Sequence, residues 1–269
     1  MTSISNIMLA EIKVQLYWLK NNKVMMLMTL LWPYLMVFIM ISFGSAFGSL
    51  EEFKEKMGIA SPILYLFAGS AVATASIAVI DNAAGVATWH RWLGTLSYVL
   101  LVPRRFVTYL LVSSLVTSMV QVIFNLASIT PAVIVLEGAS AGLQLLIVLV
   151  FMFIGTLPLL GIALLGGVAS LLASEESDII NFLNPLLLLL SGVFYPVKLL
   201  PWILKQASYY IPTKYVVDAA KMAATYTHPP GSTIIIILYA LMLLAVLYNI
   251  VGVFGTFYAE KELRRRGVR

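Results

Sequence analysis

The amino-acid sequence predicts an all-α integral membrane protein with six transmembrane helices, organised as one domain over residues 1–269. Two observations support this fold class. Hydrophobic residues make up 61% of the chain and charged residues only 11%, whereas soluble domains carry about a quarter charged residues. The ionisable residues also lie between long uncharged stretches, each with room for the roughly 20 apolar residues of a helix that crosses a bilayer.

Residues 1–23 are predicted to form an interfacial helix before the first span. Apolar residues recur there at helical spacing, and Lys13 and Lys20 fall outside the apolar stripe. A helix of this kind lies along a membrane surface, where its lysines meet anionic headgroups. The alternative is an ordinary solvated helix that packs on the protein. The stripe comprises Ile4, Ile7, Met8, Ile12, Leu16 and Leu19.

The six spans are placed within the uncharged stretches, none of which comfortably holds two crossings. Their approximate ranges are 24–44, 61–81, 106–136, 143–173, 179–195 and 232–258. An even number of spans puts both termini on one side of the membrane. Eleven Lys and Arg residues then share the side of the termini, against six on the other side. The positive-inside rule therefore predicts cytoplasmic termini, a cytoplasmic loop at 82–105 and an extracellular region at 196–231.

The segment between the fifth and sixth spans has an unusual composition. Prolines, lysines and aromatic residues are concentrated there, among them Pro201, Trp202, Tyr209 and Tyr210. The amphipathic part is too short to cross a bilayer, and irregular backbone at membrane depth must be satisfied by other protein or by water. We expect one or two short helices that re-enter the membrane or lie on its outer interface, anchored by Trp and Tyr.

Several kinds of chemistry are unlikely on sequence grounds. The chain has no phosphate-binding loop of the Gly-x-x-x-x-Gly-Lys-Ser/Thr type and no cysteine. His90 and His228 are the only histidines and fall on opposite sides of the predicted membrane, which argues against a metal site or a nucleophile–base pair. The basic residues make no nucleic-acid-binding face. We expect no enzyme activity and no cofactor bound by this chain.

Two segments carry motifs. One lies between the second and third spans and contains Arg91, Gly94-Thr95-Leu96 and Pro103; the other follows the fifth span and contains Ser191-Gly192, Pro196, Leu200-Pro201, Pro212 and Tyr215. In this order, with six spans and a leading surface helix, the chain resembles the type 2 ABC transporter permeases. The loop of that family is often rich in Glu where this chain has Trp89, His90 and Trp92.

The resemblance implies the membrane subunit of an ABC exporter in the cell (plasma) membrane. Such a permease pairs with a second copy of itself or a similar permease, contacts membrane lipids and docks on two cytoplasmic ABC ATPase subunits. ATP and Mg would then bind to the ATPase partners. The substrate is expected to be apolar or amphipathic, such as a drug, lipid or glycolipid.

The alternatives are a secondary transporter or channel that works without an ATPase, and a membrane scaffold that transports nothing. The lack of interior charged residues in the spans lowers the odds of ion-coupled transport.

Two candidate sites follow from the resemblance. The first is an ATPase-coupling loop, and its alternative is a plain interfacial loop anchored at headgroups. The second is an extracellular gate, and its alternative is a structural plug with no part in gating. The coupling residues are Trp89, Arg91, Trp92, Gly94, Thr95 and Leu96. The gate residues are Ser191, Gly192, Pro196, Leu200, Pro201, Pro212 and Tyr215.

A third candidate site comprises amide side chains within the spans. Gln121 and Asn125 lie four residues apart on one helix face, and Asn181 and Asn184 lie three apart. Buried amides in lipid usually pair across helices, so packing is the favoured interpretation and a translocation path is the alternative. Small residues such as Gly69 and Ala73 permit close helix contact, either at a dimer seam or within the subunit.

Overall fold

The structure, a computed structural model, describes residues 4–45, 58–94, 106–172, 179–226 and 229–266, together with 52, 54, 55 and 98. Within these residues the regular secondary structure is helical throughout. The long helices are α1 (Ile4–Asn21), α2 (Lys23–Ser45), α3 (Pro62–Trp92), α4 (Phe106–Glu137), α5 (Ala139–Leu172) and α9 (Gly231–Arg266). The shorter ones are α6 (Ile179–Ser191), α7 (Trp202–Ser208) and α8 (Pro212–Thr225), with a 3-10 turn at Val197–Leu199.

Five of the described helices are long and apolar enough to cross a membrane, namely α2, α3, α4, α5 and α9. They indicate a multi-pass membrane protein. The predicted fifth span, 179–195, contains the 13-residue α6, which is about 20 Å long and shorter than the roughly 30 Å hydrocarbon core. Residues 173–178 before it lie outside the described part of the chain, so the count of six spans stays a prediction.

Helix α3 extends beyond the predicted end of the second span. Residues 82–92, which we expected to lie in a loop, are helical. Alanines at 83, 84 and 87 favour helix, and the first residue with a positive φ after Trp92 is Gly94, at 67°. A glycine in this conformation is a common helix terminator. The predicted loop is therefore shorter than expected, because the helical tendency continues after the apolar run has ended.

The centre of the bundle is formed by α3 and α5. Of the most apolar stretch of α3, 83% is buried, against 22% for α9. Small residues allow this close packing, since Ala68, Ala71 and Ala73 are fully buried. Helix α5 packs against α3, α4, α8 and α9. The remaining long helices therefore surround a central pair and keep outward faces that are rich in exposed apolar side chains.

Helices α4 and α5 form a tight hairpin at Gly138. This glycine is the single residue between them and has a φ of 89°. Its N–H donates to the Ile134 carbonyl at 2.9 Å. Residues with a side chain rarely adopt this φ, so a glycine here lets two candidate spans follow one another with almost no connection.

Helix α8 is inserted into the bundle instead of lying across its end. It packs against α3, α5, α6 and α9, and nine of its 14 residues are buried. At its end, the Ala224 carbonyl accepts from the Ser61 N–H at 2.9 Å, next to the start of α3. Before its start, the Tyr210 carbonyl accepts from the Tyr248 hydroxyl at 2.6 Å, well along α9. Helix α8 therefore runs alongside α3 and α9.

Helix α1 lies beside the first turns of α4 and contacts it through polar side chains. The Ser113 hydroxyl donates to Glu11 at 3.3 Å, and the Gln15 amide donates to the Thr117 hydroxyl at 2.8 Å. The outward side of α1 carries exposed apolar residues, among them Ile12 and Leu16, together with the exposed Lys13 and Lys20. Glu11 and Gln15 thus face α4, while the outward side combines apolar and basic residues, as expected for a helix at a membrane surface.

Candidate functional site

The predicted coupling residues fall at the end of α3 and just after it. Trp89 lies in the last turns of α3 and is 58% exposed, while Arg91 and Trp92 are its last two residues. The side chains of Arg91 and Trp92, and all of Thr95 and Leu96, lie outside the described part of the chain. The coupling residues Trp89, Arg91 and Trp92 thus share the end of one long helix.

His90 links the end of α3 to the start of α4. Its Nε2 lies 3.3 Å from the Tyr109 hydroxyl, and the two rings meet edge to face with centroids 5.8 Å apart. Burial lowers the pKa of His90 below its usual value. The end of α3 and the start of α4 are therefore held together by this contact.

The predicted gate residues are distributed over the segment from α6 to α8. Ser191 is buried, and its hydroxyl donates to the Leu188 carbonyl at 2.8 Å and accepts from the Val193 N–H at 3.3 Å. Gly192 follows with a φ of 78°, and a Cβ there would come within 2.6 Å of a Val197 methyl group. The Tyr65 hydroxyl donates to the Gly192 carbonyl at 3.2 Å. This turn is therefore tied to α3.

The prolines of the gate segment mark where its helices begin. Pro196 precedes the 3-10 turn, Leu200 ends it and Pro201 caps α7. Pro212 is buried at the first position of α8, where a proline costs no hydrogen bond because the first N–H groups of a helix have no partner within it. The prolines thus divide the segment into short rigid pieces.

A cation lies among aromatic rings at the start of α8. The Lys214 ammonium is 2.6 Å from the Asp218 carboxylate and 4.6 Å from the centre of the Tyr215 ring. The Tyr215 hydroxyl donates to the Tyr209 carbonyl at 2.9 Å. The hydrogen bond from Tyr215 to Tyr209 connects α8 to the turn after α7, and it would have to break if α7 and α8 moved apart.

The predicted path amides are paired with other side chains. The Gln121 amide donates to Asn125 at 3.1 Å, and the fully buried Asn125 donates to the Thr74 hydroxyl on α3 at 2.7 Å. The Asn184 amide donates to Asp81, which joins α6 to α3. The side chain of Asn181 lies outside the described residues. These contacts support the packing interpretation of the amides.

A lateral cleft between α1, α2, α3 and α4 was not expected from the sequence. Its volume is about 360 Å³. Neutral polar side chains from all four helices line it, and so do apolar ones, Trp18 and Phe124 among them. The polar residues are Gln15, Thr29, Asn82, Thr117 and Gln121. The only sequence signal was the four-residue spacing of Thr117 and Gln121, since the other residues meet only through the tertiary packing.

Among the described residues, no group of three or more His, Asp or Glu side chains is placed to hold a metal ion. Neither a protein-family model nor a curated protein matches this sequence.

Proposed function

We propose that this chain is the membrane-spanning subunit of an ATP-driven ABC exporter. The observation that carries the proposal is the ordered pair of motifs, Arg91 with Gly94-Thr95-Leu96 and then Ser191-Gly192 through Tyr215. Two copies of a six-span subunit would form the translocation path, and each would dock on a cytoplasmic ATP-binding subunit. Both termini would be cytoplasmic and the complex would reside in the cell membrane.

The position of the first motif supports a docking role. It follows the long helix α3, whose end carries the exposed Trp89 and is linked to α4 through His90 and Tyr109. An aromatic side chain on a firmly held helix end suits insertion into a partner's cleft, since little conformational entropy is lost on binding. A force applied there would pass along α3, which is the most buried of the candidate spans.

The packing of the second motif supports a gate. Helix α8 has 14 residues, which gives about 21 Å of length, and it lies beside α3, α5 and α9. We infer that α7 and α8 re-enter the membrane from the outside. Exposed Trp202 and Tyr210 would meet the outer interface. A short helix that is tied to the preceding turn by the hydrogen bond from the Tyr215 hydroxyl to the Tyr209 carbonyl can be displaced at lower cost than a complete span.

The substrate of the exporter would be apolar or amphipathic. The candidate spans contain few ionisable side chains, and the amides of Gln121 and Asn125 are engaged in hydrogen bonds within the bundle. An anionic polymer would need compensating charge along such a path. A drug, a lipid or a glycolipid would not. Efficient transport of a highly anionic polymer as the main substrate would contradict this part of the proposal.

The experiment that tests the proposal is co-purification with a candidate ABC ATPase, followed by an ATPase assay in lipid. Replacing Arg91 by Glu and Trp92 by Ala should abolish the stimulation of ATPase activity while the chain still inserts and dimerises. A matched control, Arg265→Glu with Trp32→Ala, makes the same chemical changes elsewhere and should retain the stimulation. A chain that moves solute reproducibly without any ATPase would show a secondary transporter or channel instead.

A further inference from the structure

The cleft between α1, α2, α3 and α4 is lined by Asn82, whose side chain has a buried polar atom that the described residues do not satisfy. The Nδ2 atom of Asn82 has no hydrogen-bond partner among the described residues. A buried amide donor without a partner costs about 1–3 kcal/mol, so such an atom beside a cavity points to a bound molecule that accepts its hydrogen bond. The cleft volume of about 360 Å³ lies within the range of ligand pockets, about 300–1,000 Å³.

The mouth of the cleft faces lipid. Val14 and Trp18 line it and are 59% and 45% exposed. On the same helix, Tyr17 is exposed beside Val14, three residues after it. An outward surface of this composition belongs in contact with acyl chains or at the interface, where Trp residues concentrate. A molecule that enters the cleft from this side therefore comes from the bilayer.

One end of the cleft lies at the depth of lipid headgroups. Helix α1 precedes the candidate span that begins at Lys23, and Asn82 is one residue from the end of the candidate span Pro62–Ala83. From there the cleft extends into the candidate span Val107–Glu137, where Thr117 and Gln121 line it. This placement holds whichever side of the membrane that end faces.

The lining selects an uncharged headgroup. Its five polar residues are amides or hydroxyls, and among the described residues no ionisable side chain lines the cleft. Amides and hydroxyls donate and accept hydrogen bonds, as the hydroxyl groups of a ligand do, whereas a phosphate brought into this cleft would lack a countercharge. The Gln15 amide, bound to Thr117 at 2.8 Å, closes one wall.

We propose that this cleft binds the headgroup of a membrane lipid that is uncharged and carries hydroxyl groups, with the acyl chains lying along the apolar outer face of α1. The bound lipid supplies an acceptor for Asn82 and joins α1 to the rest of the bundle. The site needs only a chain that lies in a bilayer. A negative result for the exporter proposal would therefore leave this lipid site unaffected, and a negative result for the lipid site would leave the exporter proposal unaffected.

The test uses the full-length chain in nanodiscs that contain equal amounts of monoglucosyl-diacylglycerol and phosphatidylglycerol with identical acyl chains. Native mass spectrometry measures which lipid remains bound to the protein after the protein is released from the nanodisc. We expect the glucolipid to be retained about threefold to tenfold over phosphatidylglycerol, which corresponds to one or two net hydrogen bonds. Equal retention, or preference for phosphatidylglycerol, would overturn the proposal.

Two variants locate the binding. Asn82→Leu removes an amide nitrogen that has no partner in the described structure, so the variant should still fold. It should retain the two lipids in the same ratio as they have in the nanodisc. Thr117→Phe fills the cleft and should abolish retention; if that variant does not fold, the Asn82→Leu comparison decides alone. Gln206→Leu, at an exposed amide outside the cleft, should retain the preference. An unchanged preference in Asn82→Leu would refute the site.

Free glucose distinguishes a lipid headgroup from a soluble sugar of the same chemistry. Glucose at millimolar concentration should not displace the glucolipid, because the bilayer holds the glucolipid beside the cleft at a high effective concentration. Displacement by glucose would contradict the lipid assignment and identify a soluble polyol as the ligand.

Discussion

At the scale of single residues, the polar side chains inside the bundle hold helices together. Asn125 of α4 is fully buried and bonded both to Gln121 on its own helix and to Thr74 on α3. Tyr34 of α2 donates to the Ser128 carbonyl at 2.6 Å, and the Ser128 hydroxyl donates to the Leu30 carbonyl at 2.6 Å. Since lipid competes poorly for hydrogen bonds, such contacts specify which helix faces meet.

Replacing Asn125 by Leu should destabilise the chain, because it removes both hydrogen bonds while approximately keeping the volume. We expect a loss of about 1–2 kcal/mol in the free energy of unfolding, given about 0.6 kcal/mol for an average bond between membrane helices and at most about 1.7. Unfolding in mixed micelles, followed by circular dichroism, measures the change. Gln206→Leu is the control at an exposed amide. Altered transport with full stability would favour a translocation path instead.

Glu11 makes the contact of α1 with α4 sensitive to pH. Its carboxylate is half-buried and accepts from Ser113, and burial raises its pKa above the usual 4.5. A carboxyl group whose pKa is raised in the folded state favours folding when it is protonated. That contribution is fully present below pH 4.5, the unfolded value, and is lost as the pH rises through the folded pKa.

The variant Glu11→Gln should therefore be more stable than the wild type at pH 7.5, because Gln resembles the protonated acid. The difference should shrink as the pH is lowered towards 4.5, where the wild type itself is protonated. Thermal unfolding of both proteins across this range gives the comparison. Glu55→Gln, at an exposed position, should show no such trend. A difference between wild type and Glu11→Gln that stays constant with pH would contradict the assignment to Glu11.

At the scale of elements, α5 and α9 meet through glycines. A Cβ on Gly161 would overlap the Tyr248 carbonyl carbon, and a Cβ on Gly252 would come within 2.7 Å of the Gly161 carbonyl oxygen. The Asn249 amide also donates to the Leu157 carbonyl at 2.8 Å across the same contact. A backbone can approach this closely only where the residue that faces it has no side chain, as is usual at close crossings of membrane helices.

Gly161→Ala should force α5 and α9 apart, because the obstacle to the new methyl group is backbone and cannot move aside alone. We expect the variant to lose several kcal/mol of stability, in the upper range for overpacked sites, or to fail to assemble. The yield of monodisperse protein and the midpoint of unfolding measure this loss. Gly85→Ala is the matched control within a helix, since a Cβ there meets nothing within 4 Å. Equal stability of the two variants would show that the helices do not cross at Gly161.

At the scale of the whole molecule, the orientation in the membrane decides which end could meet an ATPase. Eleven basic residues are predicted on the side of the termini against six on the other side. Long runs of positive charge near span ends resist translocation. The C-terminal end of α9 contains several of these residues, Arg265 among them. We therefore expect the end of α3 and the end of α9 to face the cytoplasm.

Single cysteines can test this orientation, since the chain has no native cysteine. Gln206 is the suitable outer position, because it is exposed whereas Ser208 is buried. An impermeant thiol reagent on intact cells should label Gln206→Cys. Leu93→Cys and Arg265→Cys, both at exposed positions, should be labelled only after lysis. Labelling of Arg265→Cys in intact cells, with protection of Gln206→Cys, would reverse the orientation and with it both functional sites.

Much of the fold could be predicted because hydropathy and helix length are properties of one segment at a time. The sequence alone indicated an all-helical chain, and five of its uncharged stretches coincide with candidate spans. Local signals were less accurate at helix ends. Helix α3 continues to Trp92, since the residues after Asp81 favour helix even though they no longer form an apolar run.

The candidate sites depended more on tertiary structure. Spacing on one helix put Gln121 and Asn125 on a common face, but only the packing of α4 on α3 paired Asn125 with Thr74. The same holds for the cleft, where Gln15, Asn82 and Thr117 meet from three helices that are far apart in the sequence. A single sequence specifies which faces are apolar. Which faces meet is decided by close packing and by hydrogen bonds that form only once the helices are assembled.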